Sequence, residues 1–266
     1  MQAIEPGVRE LGTNSNAITI HELLHDRSIY QMPLFQRRYQ WQENPQIQKF
    51  WEDLASVIDD EVDLSFLGAV VLQIEREGNA KNSQVYTVID GQQRITTFFI
   101  FLCAVVDYAL RNGFQDTAHD LVKQYLVSGL SAEKGNGKLI PTFQDNSNFN
   151  EVIKSIDGLE INLLPDTGSN DGPMILAFMY FCEKLSKLLD NFPINTREGQ
   201  LEKVYRALLE KMEIVQIILD KTHNANEVFD RLNTAGRPLG TIDLVRNELF
   251  QTVSEDYDKA SLSSPS

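Results

Sequence analysis

Five consecutive residues, Asp-Gly-Gln-Gln-Arg at positions 90–94, carry the clearest chemical signal in this sequence. They supply a carboxylate, a pair of amides and a guanidinium within one short stretch. The apolar residues 85–89 before them predict a strand, and the apolar run that starts at Ile95 predicts a helix. A strand-to-helix corner brings backbone N–H groups and polar side chains to one point, which favours the binding of phosphate.

A purely structural interpretation of this corner stays open from the residues alone. Asp90 suits the N-cap of the following helix, and Asp-Gly is a common turn pair, so the polar residues after them would simply be solvated. However, Arg94 in the first turn opposes the helix dipole, which favours anions at that end. A bound anion would remove the conflict.

A second polar cluster, residues 33–41, contains Gln36, Arg37 and Arg38 beside three aromatic residues. Arginine forks bind phosphate oxygens in a bidentate manner, and aromatic rings stack on bases. The alternative is that the aromatic rings enter the core while the arginines pair with acidic residues on the surface.

A third cluster, within residues 229–247, contains Asn233, Asp243 and Asn247. Asp243 and Asn247 are four residues apart and therefore share one face of a predicted helix. Helix capping accounts for Asn233, but not for the other two residues. We interpret the cluster as a candidate wall of the same site.

The composition predicts a soluble cytoplasmic protein and restricts its partners. The chain has 266 residues, of which 42% are hydrophobic, and a formal net charge of −14. This charge argues against nucleic-acid binding by the whole surface, although Arg37 and Arg38 leave room for a local basic groove. The longest apolar run, residues 98–106, is too short to span a bilayer, so no membrane partner is expected. Cys103 and Cys182 lie in apolar helical runs, which predict buried free thiols.

The predicted elements indicate an α+β fold with a small mixed sheet and many helices. Strand-like segments fall at residues 18–20, 29–35, 66–74, 84–89 and 214–219. The third and fourth of these predict an antiparallel hairpin, and the helix after Ile95 is apolar on nearly every side, which places it at the centre of the fold. We expect an α/β core over residues 17–112, completed by residues 213–253, with a large helical subdomain over 113–212 and a tail or linker over 254–266.

The three clusters occur together with Phe-Leu-Gly at 66–68 and with Ile-Thr-Thr at 95–97, directly after the Asp-Gly-Gln-Gln-Arg string. In this order and spacing, over about residues 17–250, the chain resembles the N-terminal domain family of GmrSD-type restriction endonucleases. The resemblance implies a core similar to the ParB/sulfiredoxin fold. It also implies nucleoside triphosphate binding and hydrolysis at the Asp-Gly-Gln-Gln-Arg motif.

The same resemblance implies a role in bacterial defence against phage that acts on modified DNA, including glucosylated and phosphorothioated DNA. An HNH-type nuclease domain usually follows in the same chain or acts as a partner subunit. No such nuclease segment fits after residue 250, so we do not expect DNA cleavage by this polypeptide alone. The tail is expected to be the start of a linker, or the chain to be a stand-alone sensor.

The resemblance and the residue chemistry together define the expected site. The predicted catalytic residues are Asp90, Gln93 and Arg94, with Asp90 also the candidate Mg²⁺ ligand. The predicted nucleotide- and phosphate-binding residues are Gln36, Arg37, Gly91, Gln92, Thr96, Asn233, Asp243 and Asn247. Gln36 and Arg37 are expected to provide a second phosphate or DNA contact.

Alternatives to a hydrolase remain. A sensor of nucleotide or of modified DNA would bind without turnover. A ParB-like DNA-binding regulator fits less well, because the chain is acidic and lacks a helix-turn-helix with a basic recognition helix. A sulfiredoxin-like reductase would need a reactive cysteine at a helix start, whereas Cys103 lies deep in an apolar helix.

Overall fold

The computed structural model describes residues 14–33, 36–78, 83–128, 136–156, 163–164 and 172–219. Within them the strands are β1 (Asn14–Thr19), β2 (Ile29–Gln31), β3 (Ser65–Arg76), β4 (Val85–Asp90), β5 (Val127–Ser128), β6 (Asn136–Gly137), β7 (Leu139–Ile140) and β8 (Met212–Leu219). The α-helices are α1 (Ile20–Leu24), α2 (Gln48–Ile58), α3 (Gln92–Arg111), α4 (Gln115–Leu121), α5 (Asn146–Ser155), α6 (Pro173–Leu189) and α7 (Ile194–Lys211).

The main sheet has six strands in the order β1-β8-β3-β4-β2-β7. β3 and β4 form the predicted antiparallel hairpin, while β3 pairs in parallel with β8 on its other side. β2 runs parallel to β4, and β1 runs antiparallel to β8. These pairings confirm the predicted α+β class and the small mixed sheet. The likeness of the core to the ParB/sulfiredoxin fold stays a prediction.

The stretch that we expected to be mostly helical, residues 113–212, also contributes to the sheets. β7 pairs in parallel with β2 at the edge of the main sheet, and β5 pairs with β6 in a separate two-stranded sheet. Strands of two residues leave no alternation of polar and apolar positions, so the sequence pattern does not reveal them. Residues 14–219 lie within one compact unit, and the predicted domain bounds remain predictions.

α3 is the central helix, as its composition predicts. Most of its residues from Ile95 to Ala109 are fully buried, and its rings pack against those of neighbouring helices, for example Phe101 on Phe181 of α6. The helix is long and apolar enough to cross a membrane, but it is mostly buried inside the protein, so no membrane protein is indicated. Cys103 and Cys182 are free thiols, with Cys103 fully buried and Cys182 half-buried; burial raises the pKa of both.

Lys138, which lies between β6 and β7, is a buried lysine. Only 2% of it is exposed, and its ammonium donates to the carbonyl oxygens of Leu24, Asp26 and Gln124 at 2.5–2.6 Å. Leu24 ends α1, and a cation at a helix C-terminus satisfies unpaired carbonyl groups and complements the dipole. Burial lowers the pKa of Lys138 to about 8. These three hydrogen bonds connect residues 24–26 and Gln124 to the edge of the main sheet at β7.

We expect Lys138→Met to lower the free energy of unfolding by about 3 kcal/mol, because the apolar side chain leaves buried carbonyl groups without a donor. Denaturant unfolding followed by circular dichroism measures the loss. The control is Lys123→Met, which removes an exposed lysine nearby and should change stability by less than about 0.5 kcal/mol. Equal stabilities of the two variants would contradict the assigned role of Lys138.

Candidate functional site

Residues 90–94 form the predicted strand-to-helix corner, which we call the 90–94 corner. β4 ends at Asp90, Gly91 is the N-cap in the left-handed region at φ 90°, and α3 begins at Gln92. No side-chain hydrogen bond caps the helix, so the interpretation of Asp90 as an N-cap is wrong. Gly91 is needed here both for its φ and because a Cβ would lie 2.8 Å from Cγ2 of Val70.

The first turn of α3 directs backbone donors out of the helix end. The first backbone bond of the turn runs from the N–H of Ile95 to the carbonyl of Gly91, at 3.1 Å. The N–H groups of Gln92, Gln93 and Arg94 precede it, and such groups have no acceptor within their own helix. The corner therefore has the backbone chemistry of an anion site.

Arg94 lies in a cradle formed by an irregular part of β3. The pairing of β3 with β8 shifts register between Phe66 and Ala69, and Gly68 within this irregularity has φ +105°. A Cβ on Gly68 would lie 2.9 Å from Nε and 3.0 Å from Cζ of Arg94. Arg94 Nη1 donates to the carbonyl of Ala69 at 3.2 Å. The guanidinium thus packs against bare backbone.

The charge of Arg94 is only partly compensated. Burial of the guanidinium lowers the pKa of Arg94, and the neighbouring carboxylate of Asp90 acts in the opposite direction. Asp90 is itself half-buried at the end of β4. A half-buried cation at the positive end of a helix is unfavourable unless an anion binds to it.

The two glutamines of the corner bind protein backbone. Residues 36–41, which we call the arginine segment, run beside the start of α3. Gln92, 6% exposed, donates from Nε2 to the carbonyl of Arg37 at 2.8 Å. Gln93 donates to the carbonyl of Arg38 at 3.2 Å and accepts from the N–H groups of Gln40 and Trp41 at 2.7 and 3.2 Å. The amides therefore fix the path of an irregular segment.

Further bonds hold the arginine segment from its other sides. Gln36 donates from Nε2 to the carbonyl of Ile89 in β4 at 2.9 Å. Asp145, 2% exposed, accepts from the N–H of Tyr39 at 2.9 Å, and the Tyr39 hydroxyl lies 2.8 Å from Oγ1 of Thr97. Tyr39 is buried, which confirms the core interpretation for this ring, whereas the side chains of Arg37 and Arg38 are exposed.

The structure thus brings together Gln36, Arg37, Asp90, Gly91, Gln92, Gln93 and Arg94. Thr96 is placed differently: it is 1% exposed, and its hydroxyl oxygen has no hydrogen-bond partner in the described ranges. Asn233, Asp243 and Asn247 lie outside the described residues. Within those residues, no group of three or more His, Cys, Asp or Glu side chains is placed to hold a metal ion.

Sequence reasoning noted Gly68 within the Phe-Leu-Gly string but gave it no role, and it missed two partners that position the site, the carbonyl of Ala69 and the carboxylate of Asp145. A signal existed for Gly68, because a glycine inside a strand pattern often marks a bulge or a close backbone approach. No comparable signal existed for Asp145, which lies more than a hundred residues from Tyr39.

We expect Gln93→Ala to lower the free energy of unfolding by about 2 kcal/mol, because three backbone groups of the arginine segment lose their partner. Thermal and denaturant unfolding measure this loss. Gln48→Ala is the matched control, since Gln48 is an exposed glutamine whose side chain bonds only to Glu52 among the described residues. A Gln93 variant as stable as the control would contradict the structural role of the amide.

Comparison with known proteins gives one match. A family model described as "GmrSD restriction endonuclease, N-terminal domain" matches residues 20–250, most of the chain. The matched range includes the 90–94 corner, its cradle in β3 and the arginine segment. A search of curated proteins found no match.

Proposed function

Since the chain belongs to the family of N-terminal domains of GmrSD restriction endonucleases, and is therefore a component of an anti-phage restriction system, we propose that it binds and hydrolyses a nucleoside triphosphate. Hydrolysis regulates the cleavage of modified DNA. The nuclease itself is an HNH-type domain or subunit, and the system acts in the cytoplasm. The 90–94 corner is the proposed site of the phosphate chemistry.

The observation that carries this proposal is the position of Arg94. Its guanidinium is half-buried at the N-terminus of α3, held by Ala69 and beside Asp90. Its one hydrogen bond to the described residues uses Nη1, so further guanidinium donors are available to phosphate oxygens. Arginine forks and helix N-termini both favour phosphate, and here they coincide.

Each group at the corner has a distinct proposed role. The first-turn N–H groups of α3 and the backbone at Gly91 bind phosphate oxygens, and Arg37 reaches the same phosphates from the arginine segment. Arg94 neutralises the charge that develops on the leaving diphosphate as water attacks the terminal phosphorus and the bridging bond breaks. Gln92 and Gln93 act by holding the arginine segment in place.

Asp90 is the proposed Mg²⁺ ligand. Mg²⁺ usually retains several waters and binds through one or two carboxylates together with substrate phosphates, so a single carboxylate at the corner fits that pattern. Asp90 also orients Arg94 through its charge. Gln36, Thr96, Asn233, Asp243 and Asn247 remain proposed contributors to the nucleotide pocket.

One observation favours a second candidate function, a sensor that binds nucleotide or modified DNA without turnover. The amides of Gln92 and Gln93 are bonded to the backbone of the arginine segment, which leaves few groups at the corner to orient a water. In that case binding would change the conformation of the arginine segment, and the nucleotide would later be released without hydrolysis.

The test measures binding and turnover separately on the wild-type chain. Calorimetry with each of the four ribonucleoside triphosphates and Mg²⁺ measures affinity, and a phosphate-release assay with and without modified DNA measures hydrolysis. Binding with phosphate release supports the hydrolase, and binding without release supports the sensor. The absence of triphosphate binding under all of these conditions would refute both the hydrolase and the nucleotide sensor.

A further inference from the structure

The arginine segment has its backbone fixed while its charged side chains stay exposed. Side chains of Gln92, Gln93 and Asp145 bond its carbonyl and N–H groups from residue 37 to residue 41. Ordering an irregular backbone costs conformational entropy. Here that cost is not offset by the hydrogen bonds of a helix or a strand. The result is a rigid platform whose side chains Arg37 and Arg38 face solvent. Preorganised groups of this kind are what tight binding requires.

The side chain of Arg38 lies against the turn before α5. Its Nε donates to Oε1 of Gln144 at 2.6 Å, which leaves the two terminal nitrogens without a hydrogen bond to the described residues. Phe143 adjoins Gln144 in that turn, and 57% of it is exposed. An oriented guanidinium is therefore bound to a turn that also carries an exposed aromatic ring. We call Arg38 and Phe143 at this turn the Arg38–Phe143 surface.

The local charge of this surface differs from that of the whole chain, which has a formal net charge of −14. Asp145 is the acidic residue nearest along the chain to Phe143 and Gln144, but it is buried. Its Oδ2 accepts from the N–H of Tyr39 and from the hydroxyl of Thr142, at 2.9 and 2.8 Å. Its carboxylate is thus directed inward, where burial raises the pKa of Asp145 and the nearby guanidinium of Arg38 lowers it. The exposed charge of this surface is that of Arg38.

We infer that the Arg38–Phe143 surface is a DNA contact separate from the 90–94 corner. The terminal nitrogens of Arg38 bind a backbone phosphate in a bidentate manner, and Phe143 stacks on an unpaired base of the same strand. Gln144 orients Arg38 for this contact. The inference rests on the proposed role in DNA restriction, but it does not depend on triphosphate hydrolysis.

The pairing of these two residues favours DNA over a protein partner. An exposed phenylalanine alone fits many apolar partners, and an exposed arginine alone usually remains solvated. A strand of nucleic acid carries both phosphates and flat bases, and Arg38 and Phe143 offer one partner for each. Because the rest of the chain is acidic, binding is confined to this surface instead of spreading over the protein.

The test uses the full chain and fluorescence anisotropy with labelled single-stranded DNA and with a duplex, over about 50 to 200 mM salt. Arg38→Ala should weaken binding about fivefold and reduce the slope of log affinity against log salt by about 1. Phe143→Ala should weaken binding to the single strand about tenfold and leave the slope unchanged, since stacking releases no counterions.

Matched controls separate the surface from general charge and hydrophobicity. Arg206→Ala removes an exposed arginine of α7 that pairs with Glu202 and Glu210, and Leu176→Ala removes an apolar side chain of α6 that is 64% exposed. Both should bind DNA like the wild type. DNA affinity within twofold of wild type for Arg38→Ala and Phe143→Ala would overturn the inference, as would wild-type protein that does not bind DNA. Triphosphate binding, measured separately, should be unchanged in Arg38→Ala and in Phe143→Ala.

Discussion

Arg94→Ala is expected to lower the rate of triphosphate hydrolysis by about 10³-fold while the fold stays intact, because a positioned arginine stabilises the charge of the phosphoryl-transfer transition state by that order. The loss should fall mainly on kcat, since the first-turn N–H groups of α3 still bind the substrate. Phosphate release under saturating nucleotide measures it, and circular dichroism checks the fold.

Two further variants sharpen this result. Arg94→Lys keeps the charge but not the fork, so its rate should fall between those of alanine and wild type. Arg111→Ala removes an arginine at the other end of α3, where it pairs with Asp107, and should leave hydrolysis unchanged. Hydrolysis by Arg94→Ala at the wild-type rate would remove Arg94 from the proposed mechanism without affecting its role in the cradle.

The elements around the site could be predicted because their signals are local. α3 is apolar on all sides over many turns, and the hairpin of β3 and β4 combines two apolar stretches with a polar connection. The corner between β4 and α3 follows from the change in pattern at Asp90. β7 was not predictable, since its two residues join the sheet only through parallel pairing with β2.

The direction of the polar side chains could not be predicted in the same way. Gln92 and Gln93 have the right chemistry for a phosphate, but their partners are backbone groups more than fifty residues earlier in the chain. Sequence spacing carries no information on such a contact, because a side-chain amide donates a hydrogen bond to a backbone carbonyl as readily as to a ligand. The conflict of Arg94 with the helix dipole can be recognised from the sequence alone, but its contacts with Gly68 and the carbonyl of Ala69 cannot.

Gly68→Ala is expected to reduce hydrolysis nearly as much as loss of Arg94, although residue 68 need not touch the substrate. The new Cβ would lie 2.9 to 3.0 Å from three guanidinium atoms, so the guanidinium of Arg94 must shift away from residue 68. The backbone at φ +105° adds strain for any residue with a Cβ. We expect the free energy of unfolding to fall by about 2 kcal/mol, and the kinetic defect to appear in kcat.

A double-mutant cycle with Arg94→Ala distinguishes displacement of the guanidinium from general damage. With the guanidinium removed, adding Gly68→Ala should cost no further activity and only the backbone strain, about 1 kcal/mol. Gly113→Ala is the control for that strain, because Gly113 has φ +83° but nothing within 4 Å of its Cβ position. It should lose stability and keep full hydrolysis. Additive losses in the cycle would contradict positioning through Arg94. The unfolding free energies of the four proteins in the cycle test the contact between Gly68 and Arg94 without any activity measurement. They apply even if the chain binds nucleotide without turnover, because they depend only on how β3 accommodates the arginine.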